Sequence, residues 1–580
     1  MRSGIHGRPR RLDPRLMRTG LALLLTAAIP AQAMAMVSIG VRPGPIQAGP
    51  SKPVKVSVFG DDKADIGAKV QSTVFEAFKK SDKVTYLVKM KVQADIAEAA
   101  ASARARAATP ASAELAARSA VITSLQEAAD LSQAGLLSFL EKARSAGSVA
   151  SYQSYWITNM VAVTSDRETM EKIAARPDVE AIYENEKVYL IQSDIAVAEA
   201  EVGALAGEPE WNITRIGAPA VWRQFGIDGT GVVVASMDTG VDSGHPALES
   251  QYRGQGAADH SAFWYDAVNG RSAPYDDHGH GSHTTGTMVG RDADGTNQIG
   301  VAPGAKWIAA KMLDASGSGL TTWILNAGQW ILAPGGDPAM APDVVNNSWG
   351  GGPGMDEWFR DVVVAWREAG IVPIFANGND GPGAGTVAEP ANYPESIGVG
   401  NITRDDTLSN TSSRGPSPYG EIKPEVSAPG SGVRSSLPGG LYGVGSGTSM
   451  AAPHASGVAA LLRQVDASLS VDEIEEILTS TADPTTDAQY TTVPNNGYGH
   501  GIVNAYKAVA SALGLAEGRV SGRVLTQGDD LTGPTINHTP VTEGYKYTPT
   551  TIIAEVTDDV SITNVYLRFR QPGLNWWGVV

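Results

Sequence analysis

Between Trp211 and Leu513 the chain alternates short apolar runs with amphipathic stretches, and this rhythm restricts the fold more than any other feature. "GVVVASMD" is apolar almost throughout, as a strand buried on both faces must be. "AKWIAAKML", "PDVVNNSWG", "GIVPIFANGN" and "ESIGVGNI" have the same character. Helical stretches lie between them, such as "TTWILNAGQWILA" and "MDEWFRDVVVAWREAG", the latter stopped by Gly370. Alternation of this kind predicts an α/β domain, a parallel doubly wound sheet flanked by helices. Such sheets place ligands beyond the carboxyl ends of their strands. Residues at those ends are therefore the ones to read for chemistry.

The flanks read differently. "MRSGIHGRPRRLDPRLMR" is basic, "TGLALLLTAAIPA" is apolar but too short to cross a bilayer, and "AQAMA" offers small-residue cleavage signals. Residues 1–35 are thus expected to be a secretory signal peptide, which makes the protein secreted, to the medium or the cell envelope. Arg10-Arg11 also permits a twin-arginine route. Residues 36–82 are rich in Pro, Gly, Ser and Lys and read as a linker. Over 83–195 an α+β unit is expected. "KVTYLVKMKV" and "YQSYWITNMVAVTS" read as strands, "AARSAVITSLQEAADLSQAGLLSFLEKARSAG" and "RETMEKIAARPDV" as helices, and "EAIYENEKVYL" as a strand. Residues 196–210, "AVAEAEVGALAGEPE", look exposed and cleavable. From 517 to 580 short alternating runs predict a β-sandwich-like module, and the ending "LNWWGVV" suggests that the chain is cut inside it.

Composition excludes several functions. A formal net charge of -17 lacks the basic footprint of a nucleic-acid binder. With no cysteine, thiol nucleophiles, thiolate metal sites and disulfides are ruled out. After signal removal, no segment is apolar enough to cross a membrane.

At the strand ends the polar residues form a set. "VVVASMDTG" carries Asp238 at its end, and a carboxylate there is costly unless partnered. "DDHGHGSHTTGTMVG" puts His280 among glycines at a helix start, "VVNNSWGGG" ends at Ser348-Trp349-Gly350, and "VPIFANGND" ends at Asn379. "GTSMAAPH" sets Ser449 among small residues at another helix start. These are the parts of acyl transfer. A serine hydroxyl needs a base, and histidine titrates near neutrality. A buried carboxylate fixes the imidazole tautomer, while a helix N-terminal N–H and an Asn side chain can stabilise an oxyanion.

"DTGVDSGHPAL", "HGHGSHTTGT" and "GTSMAAPH", in this order, resemble the aspartate, histidine and serine motifs of the subtilisin-like serine proteases. "SSRGPSPYGEIKPEVSAPGSGVRSSLPGG" resembles the lead-in to the serine motif. The resemblance spans roughly Trp211 to Leu513, and "YDAVNGRSAPYDDHGHGSH" with the trailing β module points to bacillopeptidase F-type members. It implies a catalytic domain over 211–513, with Asp238 orienting, His280 as general base and Ser449 as nucleophile. By the same resemblance Asn379 donates to the oxyanion with the Ser449 N–H, and Ser348, Trp349 and Gly350 pair with extended protein or peptide substrates. It further implies that 83–195 is an inhibitory prosegment, the enzyme's own intramolecular partner; self-processing is expected between Val202 and Trp211, where no regular pattern protects the backbone. Catalysis needs no cofactor or metal on this reading. A tight structural calcium common in the family falls at Ala247 and in "DADGTNQIGVAPGA", but alanine cannot ligate and the loop is short, so that site is expected to be lost.

Two rivals stand beside this. His278, His280 and His283, with His260, Asp276 and Asp277, are spaced closely enough for zinc. No H-E-x-x-H frame supplies a base, however, and Asp238, Asn379 and Ser449 would go unused. A catalytically silent binding protein could keep the fold, but it would not need all four polar groups.

Overall fold

The computed structural model describes residues 66–191, 194–197 and 208–514, plus four short strands at Thr535–His538, Ala554–Thr557, Arg568–Phe569 and Gly578–Val579. The expected signal peptide lies outside the described residues. So does the expected sandwich, apart from these strands, which form two antiparallel pairs.

Seven parallel strands form the main sheet, in the order Val426–Pro429, Ile397–Ile402, Val372–Ala376, Val344–Asn347, Val233–Asp238, Lys306–Lys311 and Trp264–Asp266. Successive side chains alternate between two cores. Val234, Val344 and Val372 pack with helix Thr448–Val465 on one face. Ala235, Met237, Val345 and Phe375 pack on the other with helices Thr321–Leu332 and Arg360–Glu368. Both neighbours of the interior strand Val233–Asp238 come later in the chain, so a switch point opens beside Asp238.

A smaller antiparallel sheet precedes it, ordered Val149–Tyr155, Met160–Ser165, Val84–Met90 and Val179–Glu184, with helices Pro110–Ser145 and Arg167–Ala174. Along Val84–Met90 the pleat sends Tyr86 and Val88 into this unit's own core. Leu87, from the opposite face, joins the core of the large sheet's outer helices. Polar contacts seal the junction. The N–H groups of Trp156 and Ile157 donate to Gln329 Oε1 at 2.9 and 3.3 Å. Arg104 Nη2 and Arg118 Nε donate to the carbonyls of Glu368 and Ala369 at 2.9 and 3.1 Å, where cations suit a helix C-terminus.

Three local expectations change. The supposed linker is ordered from residue 66, with helices Ile66–Lys69 and Ser72–Phe78. Val70 and Val74 are buried there, and Gln71 bonds Ile182 and Glu184. "YQSYWITNMVAVTS" is a hairpin rather than one strand, turning at Asn159 with φ +46°. "EAIYENEKVYL" splits in two: Val179–Glu184 closes the small sheet, and Lys187–Leu190 leaves it to pair elsewhere.

Candidate active site

Asp238 ends the strand Val233–Asp238 and is 1% exposed. Its carboxylate accepts the Thr239 N–H at 2.7 Å and Thr284 Oγ1 at 3.2 Å, and His280 Nδ1 lies 2.8 and 2.9 Å from its two oxygens. These bonds offset the burial of the carboxylate. Nδ1–H donation leaves Nε2 as the basic nitrogen of the imidazole. His280 is the first residue of helix His280–Val289, and Gly279 turns the chain into it at φ +104°. Thr284, one helical turn after His280, went unnoticed in the sequence, although i, i+4 spacing places it on the same face. Lys311 was missed as well. It is wholly buried beside the same strand, and its Nζ donates to Thr239 O at 2.6 Å and to Asp277 Oδ1 at 2.5 Å.

Ser449 is the second residue of helix Thr448–Val465, so its N–H is among those without an intrahelical acceptor. Its Oγ lies 3.3 Å from the Ser348 carbonyl and 3.5 Å from the Ile191 carbonyl, while His280 Nε2 has no protein hydrogen-bond partner. The hydroxyl is thus turned toward the chain segment at Ile191; such contacts commonly shorten only in the reacting complex. Pro453 sits four residues on and cannot donate back to the Ser449 carbonyl. Ser348 Oγ donates to that carbonyl instead, at 3.0 Å. Asn379 Oδ1 accepts from Thr448 N and Oγ1, both at 3.0 Å, which fixes its amide next to the same helix start. Trp349 offers its backbone rather than its ring. The indole is buried, edge-on to Phe359 and Phe375, with Nε1 donating to Asn347 Oδ1.

The residues read as a possible zinc cluster disperse. His283 is buried with Nε2 on the Val433 and Gly443 carbonyls, and burial pushes its pKa down to about 3. His260 bonds Tyr252, Asp277 pairs with Lys311, and Asp276 accepts from the backbone and side chain of Ser282. Among the described residues no three such groups converge.

The cleft is filled by the chain itself. Strand Lys187–Leu190 lies antiparallel between Ser318–Leu320 and Trp349–Gly350, with Tyr189 opposite Gly350 and Leu190 opposite Trp349. The Leu190 N–H donates to Gly317 O at 2.8 Å. Along the strand Val188 is buried while Lys187 and Tyr189 are exposed, the alternation of a strand held on one face, and Ile191, just past its end, is buried as well. Any Cβ at Gly350 would come within 2.6 Å of the Glu389 carbonyl oxygen, and would also crowd Ala388 Cβ at 3.2 Å and Ile191 Cδ1 at 3.3 Å, so glycine is needed chiefly for the close approach of the Glu389 backbone. Beyond Ile191, strand Asp194–Val197 pairs antiparallel with Leu441–Ser446. The chain is therefore held on both sides of the Ile191 carbonyl. The sequence pointed to a cut between Val202 and Trp211; the carbonyl beside Ser449 is that of Ile191, and residues 192–193 and 198–207 lie outside the described ones. Under the bound strand a cleft of about 940 Å³ is lined by Glu186, Asp356, Glu389 and Tyr393, among others.

Residues 229–501 match the model of the subtilase family, and residues 85–191 that of the peptidase inhibitor I9. Bacillopeptidase F of Bacillus subtilis is 48% identical over 536 residues, 88% of this chain and 37% of that protein. The chain thus spans little more than a third of that relative's length. Subtilisin E of Bacillus subtilis is 35% identical over 335 residues, 57% of this chain and 79% of that protein. Serine protease AprX of the same organism is 36% identical over 312 residues, 49% of this chain and 67% of that protein. The chain belongs to the subtilase family, with a subtilisin-like protease domain of the bacillopeptidase F type behind an I9 inhibitor domain.

Proposed function

We propose that this protein is a secreted serine endopeptidase made as a precursor, and that its first substrate is its own Ile191–Gln192 bond. The observation that carries this is the Ile191 carbonyl beside Ser449 Oγ, with paired strand on either side. A site that grips chain both before and after the reacting carbonyl suits an internal bond, hence endopeptidase rather than exopeptidase action. Ser449 attacks the Ile191 carbonyl carbon as His280 Nε2 takes its proton, and Asp238 steadies the imidazolium. The Ser449 N–H and Asn379 amide then receive the oxyanion. His280 returns the proton to the departing amine, and water releases the acyl group by the same route. The basic and apolar N-terminal segment supports export. A sulfonyl fluoride applied to the processed enzyme is expected to stop peptide hydrolysis with one equivalent bound to the tryptic peptide containing Ser449. Full activity after labelling, or a label elsewhere, would refute the assignment.

The cleft makes prosegment retention pH-dependent. Glu389 is pushed up to about 7, chiefly by burial, with the Asp356 and Glu186 carboxylates adding and the Asp356 N–H opposing. Burial likewise raises Glu186, which belongs to the prosegment. A carboxyl raised in the complex favours the protonated form there, so its support for the complex is complete below the usual carboxylate range and lost as pH rises through about 7. Cleaved prosegment should therefore dissociate faster at pH 8 than at pH 5, and Glu389→Gln should flatten this difference. Size-exclusion chromatography of the processed complex at both pH values measures it; an unchanged pH dependence in the variant would remove Glu389 from the account.

A further inference from the structure

Family resemblance places a structural calcium around Ala247 and the loop 292–305, and the residues here do not fit one. Ala247 presents a buried methyl group, its carbonyl accepts the Arg291 N–H at 3.0 Å, and its own N–H donates to His245 Nδ1. The loop's oxygens have donors already. Asp292 accepts Tyr442 OH at 2.6 Å through Oδ1 and Asn297 Nδ2 at 2.7 Å through Oδ2. Asn297, held at φ +46°, turns its Oδ1 to Arg434 Nη2 at 2.8 Å. A calcium ion needs six to eight oxygens free to face it. These oxygens face N–H and O–H groups instead.

A cation is nevertheless present. Arg434, on strand Val433–Leu437, is 7% exposed. Its Nη1 meets the Glu210 carboxylate at 3.0 Å, and its guanidinium carbon lies 4.3 Å above the Tyr442 ring. Glu210 is bound twice, since its N–H also donates to Gln298 O at 3.1 Å. One permanently charged, planar group thus ties the start of the catalytic domain to the loop 292–298 and to the strand Leu441–Ser446, which carries Tyr442. Guanidinium suits this place because its charge does not titrate away and its fork of donors reaches two acceptors while its face covers an aromatic ring.

We propose that the Arg434 guanidinium is the built-in cation of this region and does the structural work of a bound calcium, so that the loop 292–298 binds none. The mature chain must then begin at or before Glu210, because a later cut would strand Arg434 without its counter-charge. The proposal does not depend on the catalytic reading. It can be tested in the full chain carrying Ser449→Ala, which keeps proteolysis out of the measurement. Adding Arg434→Ala should lower the first melting transition by about 5 °C or more, the scale expected when one partner of a buried, charge-assisted network is removed. Millimolar calcium should not restore it. Glu210→Gln, a milder change that keeps the side-chain shape, should lower it in the same direction, and it decides the matter if Arg434→Ala does not fold. The proposal is overturned if Arg434→Ala, or Glu210→Gln in its place, melts within about 1 °C of its parent. It is equally overturned if calcium restores the lost stability, or if anomalous scattering from crystals grown in calcium places an ion in the loop 292–298.

Discussion

Ser449→Ala is expected to reduce turnover of a peptide substrate by about 10⁶ in kcat, the size known for the serine of subtilisin itself and carried over from it. The reasoning is local. Ser449 is fully buried under the Ile191 segment at a helix start, and only the hydroxyl group is lost from the packing when alanine replaces it. The fold should survive, since the Ser449 carbonyl keeps its bond from Ser348 Oγ through the backbone. Circular dichroism and the melting curve of the variant should therefore match the parent while hydrolysis disappears. A variant that still turns over peptide at a hundredth of the parental rate would show that another group attacks.

Asp238→Asn should cost about 10⁴ in kcat, as the amide does at the orienting carboxylate of another serine protease. The carboxylate now accepts from His280 Nδ1, the Thr239 N–H and Thr284 Oγ1. An amide oxygen can keep one or two of these, but its NH₂ cannot accept from Nδ1–H. The ring is then pushed to the tautomer with its proton on Nε2, where it cannot take the serine's proton. Alkaline pH should not rescue the variant, because tautomer and not protonation is at fault. Activity within tenfold of the parent would mean that Asp238 merely packs.

Much of this was legible before any coordinates. The apolar runs of the large sheet are buried on both faces, so each needs nothing but its own composition to declare itself: Val233–Asp238, Val372–Ala376 and Ile397–Ile402 are strands where the sequence puts them. Asp238 meets His280, and Ser348 and Asn379 meet the helix start that carries Ser449, all at the strand ends or helix starts to which the sequence points. What the sequence hid was pairing at a distance. Lys187–Leu190 reads as the tail of one strand with Val179–Glu184, since nothing in "ENEKVYL" says that its partner lies some 130 to 160 residues on in Ser318–Leu320 and Trp349–Gly350. Ala196 and Val197 open the stretch read as exposed for the same reason, yet they belong to a strand, Asp194–Val197, ordered by the edge of Leu441–Ser446. Segments whose order comes from another element carry no periodic signal of it. Arg434 was invisible likewise: an arginine in "SGVRSSL" has no marker for burial, and its partners Glu210, Asn297 and Tyr442 come from three separate stretches.

The central claim, that Ser449 cleaves the chain's own Ile191–Gln192 bond, is tested most directly by N-terminal sequencing with intact mass. Parent and Ser449→Ala precursors should be purified from the same host and incubated side by side at neutral pH. The account predicts a new terminus at Gln192 early in the parent's time course, before any further trimming, and an uncleaved Ile191–Gln192 bond in Ser449→Ala. The same Gln192 terminus arising from Ser449→Ala alone would contradict it, as would a parent whose first cut falls elsewhere.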